Sequence, residues 1–99
     1  MASDLVRLAD MIYLGGERIA LNAADATANM PETTEAFCIR ANVGDVYYVI
    51  NGGAAAATSP GYVPKNMVDW QGYIVNLENL HVYGAAGVFA HIQYFKQKV

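Results

Sequence analysis

Ionised side chains are scarce in this chain. Asp, Glu, Lys and Arg make up 15% of its 99 residues, against about 25% in globular proteins generally. A chain this short builds one domain, and a small domain has proportionally more surface to keep wet. The shortage predicts that partner subunits cover part of that surface. Cysteine is nearly absent: Cys38 stands alone, which excludes an internal disulfide. Positive charge is thin as well. Six Lys and Arg against nine Asp and Glu give a net charge of −3. The cations are spread along the chain, so direct nucleic-acid binding, which rests on clustered positive charge, is not expected. No apolar run approaches the roughly 18 residues of a membrane-spanning helix. The opening "MASDLVRLADMIYLGG" has no basic start followed by an apolar block, so it does not read as a signal peptide. The expectation is a protein made in the cytoplasm, with no membrane partner.

What the chain has in quantity is short β-prone runs cut by Gly, Asn and Pro. "EAFCIRA" (35–41) alternates, with Phe37, Ile39 and Ala41 on one face and Cys38 and Arg40 on the other. "DVYYVIN" (45–51) follows a turn-like insert and suggests a hairpin. "NGGAAAATSPGYVP" (51–64) reads as a loop with one short edge strand. "WQGYIVN" (70–76), "NLHVYG" (79–84) and "VFAHIQYF" (88–95) are further strands, the last the longest. In "MIYLGGERIAL" (11–21) the Gly-Gly pair suits a two-residue hairpin turn. A short helix from Ser3 or Asp4 competes for 4–14. Residues 17–21 read as strand and 22–35 as loop or extended chain. Seven or eight short strands without a convincing long helix predict an all-β fold. The expected form is a single small antiparallel β-sandwich or a jelly-roll-like barrel. Residues 1–16 are set apart as an N-terminal arm or first hairpin strand, and 17–99 as the sandwich domain.

The run from 79 to 95 predicts a further hairpin. Ala85-Ala86-Gly87 suits a three-residue loop with Gly87 in the left-handed position. That register pairs Gly84 with Val88, Val82 with Ala90 and Leu80 with Ile92 on a core face. The other face pairs Tyr83 with Phe89 and His81 with His91. An aromatic pair on the non-core face calls for cover, so Tyr83, Phe89, His81 and His91 are the expected subunit interface. Two histidines fall short of the three or four ligands of a stable zinc site, and no metal is expected.

Other chemistry finds little footing. Asp25, Asp45, Asp69 and Glu78 lack a spacing that brings two carboxylates together. Ser59 lacks a nucleophile elbow. "NGG" and "GAAG" do not open a helix with the Gly spacing of a phosphate loop. Cys38 has no neighbouring charge pattern to activate it. The chain is read as a non-enzyme with no catalytic residue and no cofactor. Tyr47, Tyr48, Tyr62, Trp70 and Tyr73 offer a carbohydrate platform as the alternative to core and subunit contacts.

The stretches "AFCIRANVGDVYYVINGGAA", "TSPGYVP" and "LENLHVYGAAGVFAHIQYF" resemble small phage virion proteins of the capsid decoration (cement) type. The resemblance covers about residues 17–95 and is one of style, without a signature motif. It implies a compact β-sandwich that forms a homo-oligomer, a trimer in that class, and stabilises a capsid lattice by binding the major capsid protein. The expected location is then the virion. Leu5, Leu8, Met11, Ile12 and Tyr13 are the expected lattice-contact arm. The alternative is a glycan-binding module of a phage tail or fibre.

Overall fold

A computed structural model describes residues 11–98. They form eight strands: β1 Met11–Ala20, β2 Ala26–Thr27, β3 Ala36–Asn42, β4 Val46–Ile50, β5 Gly61–Val63, β6 Val68–Gly72, β7 Leu80–Tyr83 and β8 Phe89–Gln97. Among the described residues no helix is long and apolar enough to cross a membrane. The strands lie in two four-stranded antiparallel sheets, ordered β1-β8-β3-β6 and β2-β7-β4-β5. The pairs β1·β8, β2·β7, β3·β6 and β4·β5 make the chain one long antiparallel ribbon wrapped around its own core. That connectivity is a jelly roll, one of the two folds the sequence predicted.

Period-2 alternation places the core. From the first sheet Phe37, Ile39, Ala90, Ile92 and Tyr94 turn inward. From the second come Val46, Tyr48, Val63, Leu80 and Val82, and all ten are buried. Burial of each large side chain is worth about 1.5–3 kcal/mol. The rings of Phe37 and Tyr48 meet edge to face across the sheets, 6.1 Å apart. The two buried tyrosines carry hydroxyls that need partners. Tyr48 donates to Asp69 at 2.5 Å and accepts from Gln71 at 3.0 Å, while Tyr94 donates to Glu17.

Three expected hairpins are not formed. β3 and β4 lie in different sheets, and so do β7 and β8. Their short loops carry the chain over the end of the core, so the strands meet face to face across it. The local turn is as read: Gly87 has φ +89° and the Val88 amide donates to the Ala85 carbonyl at 3.1 Å. The Gly-Gly pair makes no reversal either. Gly15 alone has positive φ, +115°, and the register slips between Tyr13 and Gly15. The result is a β-bulge in a continuous β1, with Leu14 as the extra residue, packed against the core. The boundary placed after residue 16 therefore falls inside β1.

Candidate functional site

The register of the first sheet arranges its outward face in rows. Tyr13, Phe95, Ala36 and Gly72 lie side by side, then Gly16, Gln93, Cys38 and Trp70, then Arg18, His91, Arg40 and Val68. Large side chains thus flank a strip of small ones. A groove of about 620 Å³ opens there, within the size range of small-molecule sites. Gly16 is needed at its floor, because a Cβ there would come within 2.7 Å of the Ile92 carbonyl oxygen.

The two ends of the groove differ in chemistry. At one end Phe95 packs against Tyr13, with centroids 5.6 Å apart, and against Trp70 at 5.3 Å. Phe95 is buried, while Tyr13 is 57% and Trp70 39% exposed. At the other end stand three basic side chains, Arg18 on β1, His91 on β8 and Arg40 on β3. Arg18 is held over the Phe89 ring, its guanidinium carbon 4.9 Å from the centroid. Asn42 lies 3.4 Å from His91 Nε2. Burial, with Arg40 and Arg18 on either side, lowers the His91 pKa. Between the ends, the Cys38 thiol donates to Gln93 Oε1 at 3.6 Å, and burial raises the thiol's pKa. Among the described residues lining the groove the one carboxylate is Glu17. It accepts bonds from the Tyr94 hydroxyl and, at 2.8 Å, the Asn29 amide.

The outward face of the second sheet carries a row of tyrosines. Tyr83, Tyr47 and Tyr62 are direct cross-strand neighbours on β7, β4 and β5. Tyr47 and Tyr62 stack at 5.2 Å, and Tyr47 and Tyr83 tilt at 6.5 Å. Tyr62 is 46% exposed. The next row holds His81, whose Nδ1 lies 3.0 Å from Asp25. The Ala55 amide also donates to Asp25, at 2.8 Å, so this carboxylate ties the 51–60 loop to β7. The Ala55 bond, aided by His81 against the pull of desolvation, holds the Asp25 pKa below its ordinary value.

The four expected interface residues are therefore split between two faces. Tyr83 and His81 share the second sheet; Phe89 and His91 share the first. Neither the Tyr83–Phe89 pair nor the His81–His91 pair exists, because β7 and β8 are not neighbours. Among the described residues no three His, Cys, Asp or Glu side chains gather as a metal-binding group. In the expected arm, Leu5 and Leu8 lie outside the described residues. Met11, Ile12 and Tyr13 are strand residues paired with β8, and Met11 is buried with Ala36, Cys38 and Phe95. Of the carbohydrate-platform aromatics, Tyr48 is core. Tyr47 and Tyr62 lie on one face of the molecule, Trp70 on the opposite one, and Tyr73, just beyond β6, packs against the Met11–Phe95 cluster. The Arg18–His91–Arg40 row was missed. Its members lie far apart in sequence, and only the β1·β8·β3 register joins them. Comparison with protein-family models, curated proteins and solved structures gave no match.

Proposed function

We propose that this protein is a non-enzymatic virion structural protein of the capsid decoration type, which associates with copies of itself and binds the major capsid protein. The observation that carries the reading is the row Tyr83–Tyr47–Tyr62, three aromatic side chains abreast on an outward sheet face. Tyrosine is enriched at protein interfaces because it offers a large apolar ring with a polar tip. The small charged fraction and the sequence resemblance point the same way, and jelly rolls are a frequent fold of viral shell components. Most of the described carboxylates near the two faces serve architecture. Asp25, Asp45, Asp69 and Glu17 each hold a loop amide or a tyrosine hydroxyl. The mechanism is mass action: a protein that binds only the assembled lattice stabilises it.

Sedimentation of the purified protein at micromolar concentration tests the self-association. The expected species is an oligomer, and a 10.7 kDa monomer overturns the reading. Tyr47→Asp, at the centre of the row, is expected to dissociate the oligomer while its circular dichroism stays that of the wild type. Phe89→Asp, on the opposite side of the molecule, is expected to leave it assembled. Co-sedimentation with capsids stripped of minor proteins then tests lattice binding.

A further inference from the structure

On the outward face of the first sheet, Arg18, His91 and Arg40 are direct cross-strand neighbours. Arg18 and Arg40 stand on either side of His91, so two guanidinium charges repel one another across β8. Among the described residues the outward positions of this face carry no carboxylate to offset them, and Glu17 at the rim is engaged by Tyr94 and Asn29. The guanidinium of Arg18 is already oriented by Phe89. Such a row is suited to a bound anion, because the guanidinium fork matches the oxygens of a carboxylate or a sulfate. Across the groove from the row, two half-exposed rings, Tyr13 and Trp70, stand on buried Phe95. Rings of this kind hold the flat C–H face of a pyranose by dispersion contact. Gln93, fixed by Cys38, adds an amide for hydroxyl groups between the two ends.

We infer that this groove binds an acidic saccharide, its charged group on the Arg18–His91–Arg40 row and its ring on Trp70 and Tyr13. An extended acidic peptide is the poorer fit. Strand-like peptides are recognised by backbone bonds to a sheet edge, whereas the groups here are side chains that project from the outward face across all four strands. The site is on the opposite side of the molecule from the tyrosine row, so it does not depend on the self-association proposed above.

The test is titration calorimetry at low salt with three probes: a galacturonic acid trisaccharide, a heparin-derived sulfated tetrasaccharide and neutral galactotriose. At least one acidic probe is expected to bind ten-fold or more tighter than the neutral one, and which one binds identifies the charged group. Arg40→Gln and Arg18→Gln are each expected to weaken that binding ten-fold or more. Trp70→Ala, which removes a half-exposed ring, is expected to weaken it as well. All three variants should keep the wild-type sedimentation coefficient and a cooperative melting transition, which separates a lost site from a lost fold or a lost oligomer. The inference is overturned if neither acidic probe binds at millimolar concentration, if galactotriose binds equally well, or if both Arg variants bind as the wild type does. A poly-glutamate peptide that binds in place of the saccharides, with the same Arg dependence, also overturns it and assigns the groove to an acidic protein segment.

Discussion

Single residues show where this backbone is under strain. Among the described residues five non-glycine residues have positive φ, and three of them, Asn51, Asn66 and Asn76, are asparagines, whose short polar side chain tolerates that region. Asn51 adds a second role. Its side chain accepts from the amides of Glu78 and Asn79 and donates to the Asn76 carbonyl, joining two loops. Val43, at φ 78°, has no such excuse. A β-branched side chain is disfavoured there by about 1–3 kcal/mol. Its side chain is 56% exposed, so replacing it removes little packing. Val43→Asn is therefore expected to stabilise the protein by about 1 kcal/mol, which raises the melting temperature by about 4–8 °C in a domain of this size. A thermal melt that shows no rise, or a fall, contradicts the strain.

At the scale of the strand, sequence reading and structure part company in an instructive way. Alternation correctly separated Phe37, Ile39 and Ala41 from Cys38 and Arg40, and Leu80, Val82, Ala90 and Ile92 from their neighbours. It could not say whether two runs joined by a short loop pair edge to edge or pack face to face, because both arrangements bury the same side chains. The glycines of those loops hold the missing information. A Cβ on Gly84 would lie 2.6 Å from Leu21 Cδ1 and 3.2 Å from both the Asp45 carbonyl oxygen and Val88 Cγ1. A Cβ on Gly44 would lie 2.7 Å from Val88 Cγ2. Both glycines are small because the loops close over the end of the core, not because a hairpin turn requires them. The same limit hid the groove. Its floor of Gly16 and Cys38 and its basic row come from three strands that only the wrapped ribbon sets side by side. Gly84→Ala is expected to cost about 1–3 kcal/mol by overpacking. Gly53→Ala, whose Cβ meets nothing within 4 Å, is expected to be neutral or slightly stabilising. Urea denaturation compares the two, and equal midpoints would mean the end of the core is looser than described.

For the molecule as a whole, cohesion between the sheets depends on keeping Tyr48 protonated. Tyr48 belongs to the second sheet, and its partners Asp69 and Gln71 belong to β6 of the first. Its ring also lies against Phe37 in the middle of the core. Burial, followed by the bond to Asp69 and that carboxylate's charge, pushes its pKa up to about 12 from an ordinary 10. The folded value is the higher one, so the linkage has a definite sign. The stabilisation is complete below pH 10 and is lost as pH rises toward 12, since the unfolded chain releases the proton first. Tyr94, raised by burial and by Glu17, acts in the same direction. Melting temperature is therefore expected to fall between pH 10 and 12. Tyr48→Phe removes the ionisable group but keeps the ring. It should melt lower than the wild type at pH 7, because Asp69 loses its donor, yet fall less steeply above pH 10. Parallel curves for the two proteins would mean that the sheets are held together by apolar packing alone and that the hydroxyl bridge adds nothing.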